Sequence, residues 1–329
     1  MRVRIAFAGL RHAHIRSLYN RVKADCRFEI AGICEEDEAA AANAFSAWGI
    51  ERDCCSFDEL LNNVEFDVLA IGDYYGIRGQ RAVAALRRGK HILSDKPLCT
   101  SQKELSEISQ LVKQSGKKIG IMLDFRDHPC MKAAKSLLDS GKMGKIHAIS
   151  FGGQHPLNYG VRPGWYFEKG KHGGTINDIA IHGLDAVEYL TGAKVARLNC
   201  ARCWNAFAKN EPDFKDSAQM MFTLSDNCGC IADVSYAAPD SFGFTTPFYW
   251  RFTMWGDGGV MEFSAAEKSV RFYRRDTGTV ENIPAPEASL SDYLEIFLNE
   301  INGGSELFGT AHLLDITETA LKLQAQAES

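Results

Sequence analysis

The first third of the chain alternates short apolar runs with amphipathic stretches, and this pattern constrains the fold more than any motif does. Apolar runs such as residues 66–71 suit strands buried on both faces, and the amphipathic stretches between them suit crossover helices. Residues 4–8, 28–34, 66–71, 91–94 and 118–123 read as strands. Residues 14–22, 38–48, 78–88 and 101–115 read as helices, the last two stopped by Gly89 and Gly116. An open parallel sheet with helices on both sides follows, its ligand expected beyond the carboxyl ends of the strands.

After residue 124 the rhythm changes. A helix over 129–139 leads into long strands of period-two alternation at 146–151, 195–204, 218–224, 230–237, 249–255, 260–264 and 269–273. Helices are expected near 176–190, 291–301 and 311–327, the last two with apolar residues spaced for core packing. The fold class is therefore α/β. A doubly wound Rossmann domain is expected over 1–123, and an α+β domain with a mostly antiparallel open sheet over 124–329.

Composition removes several alternatives. With 45% hydrophobic and 24% charged residues the chain can bury a large core and is neither disordered nor coiled-coil. Thirty-seven Lys plus Arg against 42 Asp plus Glu leave a net charge of -5, which argues against nucleic acid as a partner. No apolar stretch approaches the ~18 residues of a membrane span. A strand-like run begins almost at once, and ten Cys are spread along a large chain. Both features predict an unexported cytoplasmic protein with reduced thiols.

Several stretches carry chemistry. The first strand runs into Gly9-Leu10-Arg11-His12-Ala13-His14. In a dinucleotide-binding turn three glycines give the tight bend, the backbone approach to pyrophosphate and the helix packing. Only Gly9 is present, with Arg11 and His14 at the other two positions, so a plain strand-to-helix connection stays open. Arg11 could meet a pyrophosphate with its own charge or block the approach. Glu35, ending the second strand, could accept both ribose hydroxyls and repel a 2′-phosphate, favouring NAD over NADP; it could equally decorate the next helix start. His12, His14 and Asp73 could converge near the turn, where the histidines would contact backbone or phosphate. No spacing among them specifies a metal, and none is expected.

In Asp95-Lys96-Pro97 a lysine at a strand end precedes a proline that fixes the backbone, so Lys96 is a candidate for polarising a substrate oxygen. At about 3.6 residues per turn, the segment after Gly173-Gly174 sets Asp178, His182 and Asp185 on one side of a helix and apolar residues on the other. His182 could take an alcohol proton with a carboxylate orienting the ring; the alternative is a solvent-facing row of charge pairs. Cys200 and Cys203 would point to opposite faces of a strand, and Cys228 with Cys230 adds no convergent set, so zinc is not expected.

In this order the pieces resemble the Gfo/Idh/MocA oxidoreductases along essentially the whole chain. The matching marks are Gly9, Glu35, Gly89-Lys90-His91 leading into Asp95-Lys96-Pro97, and Gly173-Gly174 followed by Asp178 and His182. The resemblance implies Lys96, Asp178 and His182 as the catalytic group, and Gly9, Arg11, His12, Glu35, Asp73, Asp95, Lys96, Pro97 and Asp124 along the cofactor. It also implies Arg126, Arg162, Trp165 and Tyr166, with the catalytic three, around the substrate. Asp124-Phe125-Arg126 resembles the family's Asn-x-Arg beside the nicotinamide. The implied activity is NAD-dependent hydride transfer at a hydroxyl of a sugar, cyclitol or related small molecule, by a homodimer or homotetramer. Two departures, the missing glycines and Ile71-Gly72-Asp73-Tyr74-Tyr75-Gly76 in place of a Thr-Pro start with a downstream His, fall on the cofactor side. They leave open a ligand-binding relative with altered cofactor contacts, and a lyase or glycosidase using transient oxidation.

Overall fold

The computed structural model describes residues 2–287 and 293–329, so Ser291, the expected start of one helix, lies outside the described residues. Two compact units form. The first comprises the described residues of Met1–Met122 with Gly170–Gly173 and Tyr293–Thr317; the second comprises Leu123–Lys169, the described residues of Gly174–Asp292, and Glu318–Ser329. The chain is thus not divided by the single cut near residue 123 that its rhythm suggested.

In the first unit the order is β1 (Val3–Ala8), α1 (His14–Ala24), β2 (Phe28–Cys34), α2 (Glu38–Trp48), α3 (Phe57–Asn63), β3 (Val68–Ile71), α4 (Tyr75–Arg87), β4 (His91–Ser94), α5 (Gln102–Ser115) and β5 (Ile119–Ile121). The strands pair in parallel in the order β2-β1-β3-β4-β5. The strand order reverses between β1 and β3, where doubly wound sheets place their ligands. Asp37 and Ser101 cap α2 and α5, and left-handed Gly49 and Gly116 end them. Helix α3 was not anticipated, although Ser56 accepts from the Glu59 N–H at its start, a cap the sequence carries as Ser-x-x-Glu.

The unit's core holds Ile5, Phe7, Leu18, Val68 and Leu93, and into it pack Tyr293, Leu294, Phe297 and Leu298 of the late helix Tyr293–Ile301. A Cβ on Gly120 of β5 would lie 2.9 Å from the Phe297 ring, so that strand stays small to admit the helix. This is a long-range packing decision with no local sequence signature.

The second unit contains α6 (Pro129–Asp139), β6 (Ile146–Pro156), a π-helical turn at Ile176–Ala180 that continues as α7 (Ile181–Thr191), β7 (Val195–Trp204), β8 (Ser217–Leu224), β9 (Gly229–Ala238), β10 (Arg251–Gly256), β11 (Gly259–Ser264), β12 (Ser269–Arg274) and β13 (Val280–Pro284). They form one sheet in the order β13-β12-β11-β10-β6-β9-β8-β7. Pairing is antiparallel except between β6 and β9, which run parallel at its middle. The unanticipated β13 is a short, largely exposed edge strand.

The sheet's inner face stacks Phe151, Phe252 and Phe263. Helix α7 lies against it so closely that a Cβ on Gly183 would meet the Phe151 ring at 2.3 Å. The opposite face leaves Gln219, Met221, Ile231, Asp233, Arg251 and Trp255 exposed.

Candidate active site

In the first unit the anticipated residues gather where β1, β2, β3 and β4 end. Gly9 has φ +81°, and a Cβ there would stand 2.6 Å from the Asp73 backbone, so the turn after β1 is glycine because the loop after β3 leaves no room. The Arg11 and His12 N–H groups both donate to the Gly72 carbonyl, at 3.1 and 3.0 Å. Amides of the kind that a glycine-rich turn aims at a pyrophosphate are therefore used by the neighbouring loop.

Glu35 turns inward. Its fully buried carboxylate accepts from the Leu10 N–H at 2.6 Å, the Asp37 N–H at 2.9 Å and the Arg11 guanidinium at 3.0 Å. It is not the open acceptor for ribose hydroxyls that its place at the strand end suggested, because buried donors and a cation draw it in. Asp73 is held similarly, 2.7 Å from the Arg81 guanidinium and 3.7 Å from that of Arg11.

His12 and His14 do converge, but on Asp95 rather than Asp73. His12 Nδ1 lies 2.5 Å from Oδ2, His14 Nδ1 lies 3.1 Å from Oδ1, and the Arg78 guanidinium lies 3.0 Å from Oδ2. Burial lowers the His12 pKa to about 4, more than Asp95 restores. Burial alone would raise Asp95, yet His12, Arg78 and His14 together hold it well below the usual carboxylate range. His12, His14 and Asp95 bring three potential ligand atoms within 4.8 Å of one another. The carboxylate already carries the Arg78 cation and Lys96 adjoins it, so an added dication would enter a positive environment; the cluster reads as a hydrogen-bonded carboxylate. Lys96 is buried, its ammonium 5.8 Å from the centre of the Tyr75 ring, and Pro97 follows it through a cis peptide bond.

In the second unit Asp178 accepts a short hydrogen bond from the Tyr236 hydroxyl. Burial, then the Asp178 charge, pushes that phenol well above its ordinary pKa. Asp178 sits in the π-helical turn and His182 at the start of α7, and every residue from Ile176 to Glu188 is buried. The row of polar residues is therefore interior and not a solvated helix side. The His182 ring meets Trp250 edge-on at 5.9 Å between centres. Trp250 is itself buried at φ +47°, packs 4.8 Å from Phe125, and requires Gly153, where a Cβ would touch its ring at 2.8 Å.

Asp185, grouped with Asp178 and His182 by spacing, instead pairs with Arg126 at 3.1 Å, both buried. Arg126 thereby grips α7 and is not an open substrate contact, since a buried carboxylate at that point needs its cation. The Arg162 guanidinium lies over Tyr166 at 4.5 Å and Tyr236 at 5.0 Å and donates to the Leu157 and Pro156 carbonyls. Trp165 and Tyr166 stack 4.1 Å apart, and Asp124 is exposed.

Sequence reasoning missed Tyr236, Trp250 and Arg78. Each enters from an element far along the chain or from an unremarkable helix face, so no spacing announced it. It also missed Lys171 and His172, whose segment joins the first unit beside Tyr74 and Tyr75. The signal was a Gly-Lys-His-Gly-Gly run, over which Gly76 donates to the Lys171 carbonyl; a Cβ there would strike the Gly170 oxygen at 2.1 Å.

A doubly wound sheet with a glycine turn at its switch point, followed by a unit with an open, mostly antiparallel sheet carrying a buried acid, phenol and imidazole, defines a two-unit architecture of the nucleotide-binding class. Residues 3–123 match the model of an oxidoreductase family with an NAD-binding Rossmann fold, and residues 131–262 match the GFO/IDH/MocA C-terminal domain. The chain belongs to the Gfo/Idh/MocA oxidoreductases.

It is 28% identical over 165 residues to levoglucosan dehydrogenase of Pseudarthrobacter phenanthrenivorans, a match covering 49% of this chain and 42% of that protein. It is 25% identical over 252 residues to inositol 2-dehydrogenase 2 of Saccharopolyspora erythraea, covering 74% and 68%. The matched stretch thus spans less than half of the levoglucosan enzyme. An oxidoreductase from Agrobacterium radiobacter, solved with NAD+, L-tartaric acid and magnesium, superposes with a TM-score of 0.80 over 100% of this chain and 97% of that one at 19% identity, which speaks to the fold alone. No helix among the described residues is long and apolar enough to cross a membrane.

Proposed function

We propose that this protein oxidises or reduces a hydroxyl carbon of a sugar, cyclitol or related small molecule, with Lys96, Asp178 and His182 as its catalytic residues. The observation that carries the reading is the Tyr236–Asp178 hydrogen bond one helical turn before His182, all three groups being buried. A buried carboxylate four residues before a buried imidazole suits the transfer of one proton, and not a solvated charge pair. His182 takes the hydroxyl proton, Asp178 favours the charged imidazole, and Lys96 holds the oxygen as negative charge develops. Arg162, Trp165 and Tyr166 supply the stacked aromatic and cationic wall that a sugar ring would meet.

The residues at the ends of β1 to β4 fit a nicotinamide dinucleotide with altered phosphate contacts. The glycine turn and switch point are present, and the cationic Arg11 side chain stands where the turn's amides are already engaged. When bound, the nicotinamide supplies the hydride-accepting or hydride-donating chemistry. Gly9, Arg11, His12, Asp73, Asp95, Pro97 and Asp124 remain its proposed surroundings. NAD is favoured over NADP because the partly exposed Glu36 and Asp37 carboxylates follow β2, where a 2′-phosphate would be repelled.

The inward Glu35 favours one second reading, a relative that binds a sugar-like ligand and uses the dinucleotide poorly. Titrating the protein with NAD, NADH, NADP and NADPH by intrinsic fluorescence, then following reduced nicotinamide over a panel of sugars and cyclitols, separates the two. Saturable NAD binding with turnover supports the dehydrogenase, and neither at millimolar cofactor refutes it.

The same reading includes a homodimer or homotetramer that buries the open face of the eight-stranded sheet. That face carries exposed Met221, Ile231 and Trp255 and a depression of about 630 Å³ lined by Gln154, Asp233, Phe248 and Arg251. Light scattering that gives the monomer mass would remove it. The same reading includes a cytoplasmic site, and fractionation of the source cells tests it.

A further inference from the structure

The feature that the reading above does not use is Arg78, a fully buried guanidinium on α4. Its Nε donates to the Asp73 carbonyl at 2.7 Å, one terminal nitrogen donates to the Lys96 carbonyl at 2.6 Å and more weakly to that of Pro97 at 3.4 Å, and the other meets the Asp95 carboxylate at 3.0 Å. One planar side chain thus ties the loop after β3 to three successive residues of the loop after β4. Through Asp95 it is joined to His12 of the loop after β1 and to His14 at the start of α1. Its guanidinium also lies 4.6 Å from the centre of the Tyr75 ring, the ring that Lys96 approaches.

We propose that Arg78 is the positioning residue for Lys96: its fork fixes the backbone on both sides of that lysine and so sets where the ammonium stands. The inference rests on the assignment of Lys96 as the oxygen ligand, but its structural half can be tested without turnover. Lysine cannot replace the fork, because an ammonium has no planar pair of donors with which to bridge two loops. A misplacement of about 1 Å at such a group costs on the order of 100-fold in rate.

The test uses the full-length protein with Arg78→Lys and Arg78→Gln, each checked by its melting curve. Arg78→Lys keeps the charge beside Asp95 and serves if Arg78→Gln does not fold. Lys96 is read by competitive acetylation and peptide mass spectrometry, with Lys90 and Lys118 of the same unit as references. The expected result for folded Arg78→Lys is a several-fold faster labelling of Lys96 alone. Where the parent turns over, kcat falls about 100-fold while KM for the nicotinamide cofactor stays within a few-fold. Unchanged Lys96 labelling, or an equal rise at all three lysines, overturns the proposal. A parent inactive on every sugar refutes the dehydrogenase reading instead and leaves the labelling result to decide this one.

Discussion

Replacing Gly9 with alanine separates two costs that the turn after β1 combines. Gly9 and Gly49 both have positive φ, +81° and +66°. A Cβ at Gly49 meets nothing within 4 Å, whereas one at Gly9 falls 2.6 Å from Asp73, about 0.8 Å short of ordinary contact (3.4 Å less 2.6 Å). Gly49→Ala therefore costs only the left-handed backbone, about 1–2 kcal/mol. Gly9→Ala adds an overpacking cost of about 1–3 kcal/mol, since Arg78 and Arg81 hold the loop at Asp73 in place. The two variants should differ by roughly 2 kcal/mol, or about 4–8 °C in melting temperature. Urea and thermal melts of both, with NAD titration alongside, make the comparison, and Gly9→Ala should also lose more cofactor affinity. Equal destabilisation by the two substitutions would show that the β1 turn is not packed against the β3 loop, and the account of the switch point would fail.

Acid should weaken the fold before the carboxylates titrate. Because burial depresses His12 from 6.5 to about 4, the unfolded chain binds more protons between those values, so its stabilisation is complete above pH 6.5 and is lost as pH falls through the window. That is about 2 kcal/mol between pH 7 and pH 5. His91, also lowered to about 4, chiefly by burial, acts in the same direction, so His12→Asn should remove His12's share of the slope in urea midpoints. An unaltered slope would contradict the burial argument. Asp95 acts in the same sense: its depressed pKa contributes stability that disappears only at still lower pH. Tyr236→Phe removes a donor from a buried carboxylate, an interaction of about 1.5–3 kcal/mol, so kcat should fall by about 10- to 100-fold with NAD affinity unchanged. Full activity in that variant would detach Tyr236 from the chemistry.

The sequence by itself determined the elements whose information is local. Period-two and helical alternation placed β1, β2, α2, α5 and most strands of the larger sheet, and Gly49 and Gly116 ended helices where only glycine takes a left-handed backbone cheaply. Lys96, Asp178 and His182 were legible as candidates because strand ends and a glycine pair mark them within a few residues. Tertiary structure decided the rest. It turned Glu35 inward, moved the two histidines from Asp73 to Asp95, bound Arg126 to Asp185, and closed the first unit's core with Phe297. In each case a buried charge or a gap in packing must be satisfied by whatever side chain the fold brings near, however distant in the chain. That partner has no spacing to betray it, which is why Arg78, Tyr236 and Trp250 emerge only from the coordinates.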